Sequence, residues 1–498
     1  MISISVHRKK CVSAVRGNSR ILSRLFVMSA LVLLATAGAA LAQTVQSLKN
    51  QPPDGMQFSF QLTDGTVLVQ GFSSSDWWKL TPDINGSYLN GTWSQMASLP
   101  SGYSPDDFAS AVLADGRVII EGGEYNFGNF VLTNLGAIYD PKANTWTAVK
   151  PPKGWKYIGD SPSVVLPNGS FVVGNKLTTQ MRELDPKTLT WKTLSSKGKS
   201  DFNAEEGWTL LADGGILTAD VKNAPNSEIY STTLKKWATA GSTIVDLHSP
   251  SPFGCIPYGP GGKLCYYPPG EIGPQILRPD GTVYVTGSYT KNNGPGNTAI
   301  YDSLAGGWTV GPVFPNDDNA GDSFAVLLPD GNVLVEGDSG ISYVFDGNNL
   351  TPGPATYGSL MMLPTGQVLV GGGTTALYNP TGTYQTSWQP AISTYPSSVT
   401  RGSTYSISGT QFNGLSQAAA FGDELETATN YPLVRITNNG TNHVFYARTH
   451  DHSTMGVATG TATVSTNFDV PATMETGAST LEVVANGIPS AAVSITVQ

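Results

Sequence analysis

Residues 328–337 read LPDGNVLVEG: the end of an apolar strand, an Asp-Gly turn, a second apolar strand, then glycine. The phrase occurs seven times in the 498 residues. Its other copies are LTDGTVLVQG (62–71), LADGRVIIEGG (113–123), LPNGSFVVG (166–174), LADGGILTAD (211–220), RPDGTVYVTG (278–287) and LPTGQVLVGGG (363–373). The turn glycines stand at 65, 116, 169, 214, 281, 331 and 366, so the spacings are 51, 53, 45, 67, 50 and 35 residues. Alternating β-branched strands joined by two-residue turns at such a period are the signature of a β-propeller blade. The fold class read from this pattern is all-β, with seven blades.

A second marker keeps step with the first. An aromatic or aliphatic residue is followed seven positions later by Trp: Tyr139 and Trp146, Leu184 and Trp191, Tyr230 and Trp237, Tyr301 and Trp308. Trp93 and Trp388 are looser versions, and the sixth repeat has Phe345-Asp346 without Trp. The constant offset places each pair across a turn between the two outer strands, where a large ring seals one blade against the next. A row of Trp can also stack sugars, but its regular recurrence favours packing.

The first 42 residues carry six cations (Arg8, Lys9, Lys10, Arg16, Arg20, Arg24) and no acid, then an apolar run from Leu25 to Ala42 ending Ala40-Leu41-Ala42. This is a signal-peptide pattern with a small-x-small cleavage site, and it predicts a secreted, periplasmic or cell-envelope protein. An uncleaved anchor is the rival, because 18 apolar residues just span a bilayer. The chain has 28 Lys plus Arg against 37 acids. Without the six leader cations the balance is 22 − 37 = −15. Such an acidic surface disfavours nucleic acid and anionic membrane as partners.

After cleavage two cysteines remain, Cys255 and Cys265, flanking CIPYGPGGKLC in the longest gap between repeats. A disulfide there closes a short loop and contributes roughly 2–3 kcal/mol. A metal pair is the alternative, but no histidine lies in the loop. Near Pro390 the repeats stop. The last 109 residues hold shorter alternating strands, STYSISG, HVFYART, TLEVVANG and AVSITVQ, with the length and spacing of an Ig-like β-sandwich. The expected organisation is a signal peptide (1–42), a seven-bladed propeller (43–389) and an Ig-like domain (390–498).

Seven kelch-type repeats followed by an Ig-like domain resemble the galactose oxidase and glyoxal oxidase family over nearly the whole chain from Gln43. The resemblance implies a copper ion held by two tyrosines and two histidines, one tyrosine being cross-linked to cysteine as a radical cofactor. Those propeller ligands precede the innermost strands by a fixed step, about nine residues before the turn glycine. Here that position holds Met56, Asp107, Asp160, Glu205, Ile272, Asp322 and Tyr357. It has no Cys and no His. The family's Tyr-His pair falls on Thr356-Tyr357, and His248 stands outside the register. Copper-radical oxidation is therefore not expected of this chain.

Four of the seven positions are acidic instead: Asp107, Asp160, Glu205 and Asp322. Glu271 misses by one, and Asp106 and Glu206 adjoin. A constant offset puts these side chains at one end of a central channel. Carboxylates converging on a narrow mouth repel one another unless a cation sits between them, and oxygen-only ligands favour Ca²⁺. The bland account is that each acid caps its own turn or is simply solvated. A cationic or polyhydroxylated ligand in the same mouth is the third reading, with Tyr357 beside it. A weaker metal constellation is His443, His450 and His452, two of which would share a strand face and suit Zn²⁺ or Cu²⁺.

No serine or cysteine sits in a nucleophile elbow, no glycine loop cradles phosphate ahead of a helix, and basic stripes are absent. The sequence reads as an exported binding module whose ligand, a divalent cation or an extracellular glycan or protein, sits at the acidic mouth. The alternatives are a carboxylate- or metal-dependent hydrolase or lyase, a degenerate copper oxidase, and an envelope scaffold without a site.

Overall fold

The computed structural model describes residues 44–73, 75–250, 254–266, 270–289, 294–421 and 428–498. The proposed leader therefore lies outside the described residues. Ala42–Gln498 forms one compact unit. Among the described residues its regular structure is β-strand apart from two single-turn 3-10 segments, Pro315–Asp317 and Thr386–Trp388. Among the described residues no helix is long and apolar enough to cross a membrane.

Five of the repeats each build one four-stranded antiparallel sheet, the sixth sheet gains a fifth strand, and the seventh repeat supplies three strands of its four. In the second, Ala109–Val112 pairs with Val118–Glu121, which pairs with Gly136–Asp140 and then Thr145–Val149. The inner two strands are buried on both faces, while the outermost alternates with exposed positions. Continuous Val, Ile and Leu suit a strand sandwiched between neighbouring sheets, and each such side chain fully buried contributes about 1.5–3 kcal/mol. The last sheet takes its outer strand, Thr44–Ser47, from the start of the described chain, so the first and last repeats are stitched together.

The turn glycines differ from expectation in one respect. Gly65 N–H donates to Leu62 C=O at 3.1 Å, and Leu62 N–H to Thr66 C=O at 2.8 Å. Gly65 has φ +78°, whereas Asp64 is not left-handed. This is a type I turn closed by a left-handed glycine, one residue longer than the expected two-residue turn. The Asp64 carboxylate accepts from Thr66 N–H at 3.0 Å, and the same bond recurs from Asp115, Asn168, Asp213, Asp280 and Asp330. Holding its own turn, the Asp has no need of the left-handed conformation that a two-residue hairpin imposes.

The tryptophans do what their spacing predicts. Tyr139 faces Trp146, Leu184 faces Trp191, Tyr230 faces Trp237 and Tyr301 faces Trp308 across the outer strand pairs. Three of these rings reach back to the preceding sheet. Trp146 lies 4.9 Å from Trp77, Trp191 Nε1 donates to Lys150 C=O, and Trp308 Nε1 donates to Ser227 Oγ and Ala240 C=O.

Polar links join the sheets in chain order. Gln70 donates to Pro105 C=O, Ser110 N–H to Ser163 Oγ, Asn203 to Gln180 C=O and Gln275 to Gly207 C=O. Ala320 N–H donates to Gly287 C=O and Gly358 N–H to Glu336, and Gly372 N–H returns to Met56 C=O of the first sheet. The result is a closed, propeller-like ring of sheets.

The C-terminal part is a continuous β-system from Ala391–Thr394 onward, antiparallel except where Ser398–Val399 runs parallel to Val493–Val497, around a core of Val399, Ile407, Val434, Phe468, Val483 and Ile495. Val444–His450 serves both halves, pairing with Leu433–Asn438 through its first residues and with Val464–Asp469 through its last. This system sits on the ring face that carries the hairpin turns. Arg448 donates to Asp115 C=O at 2.9 Å, Thr449 N–H to Thr63 C=O at 3.0 Å, and Met455 N–H to Pro167 C=O at 3.0 Å. A short strand, Ala419–Phe421, leaves it to pair with Phe324–Leu327 and touches innermost strands of three sheets, so it runs inside the ring.

Candidate functional site

The innermost strands all run from the acid-bearing segment toward the hairpin turn. Asp107, Asp160, Glu205, Glu271 and Asp322 therefore gather at the end opposite the C-terminal part. Together with Glu124 and Tyr125 they line one cavity of about 310 Å³. Three of these acids adopt a left-handed backbone: Asp107 at φ +49°, Glu205 at +52° and Asp322 at +47°. Where the acid is not itself left-handed, a preceding glycine is, Gly159 at +79° before Asp160 and Gly270 at +94° before Glu271. A left-handed non-glycine residue costs on the order of 1 kcal/mol. Each sheet thus turns the chain sharply just before its inner strand.

Among the described residues, one cationic side chain that spacing did not reveal pairs with acids of the cavity. Lys176 follows the strand Phe171–Gly174, is 3% exposed, and pairs with both Asp160 and Glu205. Glu124, Asp160 and Glu205 each offer an oxygen within 4.8 Å of the others. Glu124 lies beyond the end of a second strand rather than ahead of a first, so the nine-residue register passes over it. Its only sequence cue is the GGE that ends the second repeat.

Six carboxyl groups around one ammonium leave the cavity strongly electronegative. Burial, then the charges of Asp106, Glu124, Asp322 and Glu205, hold the Asp107 carboxyl well above its ordinary range. Burial and then Asp322 push Glu271 up to about 8. Burial, Glu205 and Glu124 push Asp322 up to about 7. Tyr125 is pushed up to about 12 by burial and Glu124.

Asp107 and Asp322 also line a second, adjoining cavity of about 600 Å³, walled by Met56, Phe58, Phe72, Phe324, Glu336 and Tyr357. Tyr357 is 68% exposed and Phe72 53%, so two rings border the acidic mouth. Ile272 begins an inner strand and is buried, outside both linings. Glu206 points away into a separate buried cluster.

The histidines do not assemble. His443 pairs with Glu475 at 2.7 Å, and His450 contacts Asp451 at 2.7 Å and Asp469 at 3.2 Å. His452 is buried against Thr466 and stacked on Tyr431. Seven residues of extended strand separate His443 from His450, roughly 23 Å. The expectation that His450 and His452 share a strand face fails because the strand ends at His450 and Asp451 turns left-handed at φ +54°. His452 N–H donates to Ala114 C=O, at the turn end of the ring and far from the acids.

Among the described residues no histidine or cysteine lines either cavity, and Cys255 and Cys265 are joined to each other as directly opposed residues of a hairpin. His248 pairs with Asp246 and lines neither cavity, although the next residue, Ser249, exchanges hydrogen bonds with the backbone of Glu271. The hairpin packs Ile256 against Leu132, Leu177 and Ala204, neighbours of Lys176 and Glu205, and so braces one wall of the acidic cavity.

No protein-family profile and no curated protein matches the chain. Among solved structures it is similar to a fungal alcohol oxidase of the AA5 family in complex with copper, at 15% identity over 91% of this chain and 98% of that one, TM-score 0.49. It is also similar to a streptogramin B lyase, at 11% identity over 68% and 97%, TM-score 0.44. A third is virginiamycin B lyase from Staphylococcus aureus, at 11% identity over 68% and 99%, TM-score 0.43. All three fall below a TM-score of 0.5, and the functional assignment rests on the residues of this chain.

Proposed function

We propose that the protein is an exported, seven-bladed kelch-type β-propeller with a C-terminal Ig-like domain, and that it is a binding module. Its ligand is a hard divalent cation, Ca²⁺ first, together with a polyhydroxylated extracellular molecule such as a glycan. The observation that carries this reading is the convergence of Asp107, Glu124, Asp160, Glu205, Glu271 and Asp322 on one cavity with Lys176 as its single ammonium. Oxygen-only donors of high negative charge suit Ca²⁺, and the ion can share its shell with sugar hydroxyls. Phe72 and Tyr357, on the adjoining wall, offer faces on which a sugar ring stacks.

A second reading is favoured by one observation. Asp322 and Glu271 carry raised carboxyl groups in the same cavity where Lys176 is ion-paired with Asp160 and Glu205. Carboxyl groups raised toward neutral pH in one cavity suit a general acid or base, as in a hydrolase or lyase.

Calorimetric titration of chelator-treated protein with Ca²⁺ tests the first reading, with Asp107→Asn/Asp322→Asn as control. Asn tolerates the left-handed backbone, so the double variant removes charge without forcing the turn. Saturable binding lost in the double variant is expected. Binding unchanged by it, or absent from the parent, would remove the cavity as the site. Turnover of a polyhydroxylated substrate that follows an apparent pKa near 7 would move the assignment to the second reading.

A further inference from the structure

The fourth repeat breaks the phrase at its last position. Where the first and sixth repeats end on Gly71 and Gly337, it ends on Asp220. Those glycines are small for a reason: a Cβ on Gly71 would stand 2.5 Å from Asp54 Oδ2, and one on Gly337 would stand 2.2 Å from Asp318 Oδ2. In each case the facing aspartate accepts from the N–H two residues past the glycine, Ser73 at 2.9 Å and Ser339 at 3.1 Å. Asp201 holds that place in the fourth repeat, accepting from Lys222 N–H at 2.8 Å. So the fourth repeat keeps the facing aspartate and replaces the small residue with a second carboxylate.

The surroundings add more charge. Glu206 and Glu228 flank Lys199, whose Nζ lies 3.0 Å from the first and 2.6 Å from the second. Asp201, Glu206, Asp220 and Glu228 are all at most 3% exposed, and Lys199 is 8% exposed. Four buried carboxylates therefore share one ammonium, which is spent on two of them. Asp201 is occupied by the N–H groups of Phe202, Lys222 and Asn223. Asp220 is 2% exposed, and neither of its oxygens has a hydrogen-bond partner. An unpaired buried carboxylate is among the costliest groups a protein can hold. Oxygens of Asp201, Glu206 and Asp220 lie within 4.8 Å of one another, the spread that fits around an ion coordinated at about 2.3–2.6 Å.

We propose that Asp201, Glu206 and Asp220 form a second, structural site for a hard divalent cation of the Ca²⁺ type, distinct from the axial cavity. The ion occupies the space that Asp220 brings its charge into. Its role is to tie the segment before the fourth sheet to the end of that sheet's second strand. Enclosure of the site means that the ion enters as the chain folds and leaves slowly.

The test is metal content per chain by mass spectrometry of the purified protein, with thermal melting in Ca²⁺ and in EDTA. Asp220→Gly restores the residue that the first and sixth repeats use and is the primary variant; Asp220→Asn is the second, keeping the volume without the charge. Both are expected to carry one ion fewer than the parent. EDTA is expected to lower the melting temperature of the parent and of Asp107→Asn/Asp322→Asn, but to have a much smaller effect on the Asp220 variants. The double variant reports the axial cavity separately, so failure there leaves this site standing. Equal ion content in parent and Asp220 variants would overturn the proposal. So would a parent that melts identically in Ca²⁺ and EDTA, which would mean that protons, not a metal, neutralise the cluster.

Discussion

The acidic end of the ring and the histidine-bearing strand of the C-terminal part began with the same kind of clue, ligand-type residues at regular spacing. They came out opposite. Around the ring, an offset of nine residues from the turn glycine is kept at Asp107, Asp160, Glu205 and Asp322 and missed by one at Glu271, so five acids from five repeats meet near the axis. Along Val444–His450 the spacing runs down one strand, so His443 and His450 are carried apart and each finds its own carboxylate. Periodicity gathers side chains when it advances from sheet to sheet about an axis, and scatters them when it advances along a strand.

That contrast is most exposed to test at Lys176. Lys176→Met leaves Asp160, 3% exposed, and Glu205 without their ammonium. Removing one partner of a buried ion pair typically costs about 3–5 kcal/mol. Chemical denaturation of the ion-free protein should show a loss of that order, with added Ca²⁺ recovering part of it. The same cavity sets a pH trend. Asp322 and Glu271 rise from 3.8 and 4.5 to about 7 and about 8. A carboxyl whose folded pKa is raised contributes stability below its unfolded pKa and loses it as pH rises through the folded one. The ion-free protein should therefore lose stability between about pH 4 and 8, and the loss should shrink when Ca²⁺ is present. A flat profile would deny that these acids converge.

His452 should show the reverse sign. Burial, then the charge of His450, drives it from 6.5 down to about 3. A depressed histidine contributes stability above its unfolded pKa and loses it as pH falls toward the folded one. By pH 4 the loss is on the order of 3 kcal/mol. His452→Phe, which keeps the stacking on Tyr431, should flatten the acid limb of the stability profile between pH 6.5 and 4. An unchanged acid limb would mean that His452 is not buried neutral at the turn end of the ring.

The ring was legible in sequence because hairpin, turn and Trp offset are local and repeat; each is fixed within about ten residues. The acids at register nine were legible for the same reason. Lys176 was not, because nothing in Asn175-Lys176-Leu177 marks a side chain that reaches across to two other segments. Glu124 was missed because it belongs to the far end of a different strand. The left-handed backbone at Glu205 has no cue in its residue type, and at Asp107 and Asp322 the type permits positive φ without marking it among the chain's other aspartates. In the C-terminal part the strands were readable by alternation, but the switch of Val444–His450 between partners, and the turn at Asp451, are set by packing.

The tryptophans sharpen the same point at smaller scale. Trp308→Phe keeps most of the ring but loses Nε1–H bonds to Ser227 at 2.8 Å and Ala240 at 3.1 Å, and should cost about 1 kcal/mol. Trp146→Phe should cost less, because Nε1 of Trp146 has no acceptor. Equal costs would show that the seal between sheets is purely apolar.

The smallest effect belongs to His443. Its partner Glu475 and the ring itself are about one-third exposed, at 35% and 31% of their side-chain surface, so water competes for both ends of the pair. Exposed pairs of this kind contribute little to stability, because holding two side chains in one geometry offsets a screened attraction. His443→Ala should leave the melting temperature unchanged within error. It should also leave Zn²⁺ and Cu²⁺ binding unchanged, alone or combined with His450→Ala, since the two imidazoles sit roughly 23 Å apart along the strand. If the double variant instead abolished tight Cu²⁺ binding, the strand would have to double back on itself. The contrast between gathering around an axis and scattering along a strand would then fail where it is easiest to check.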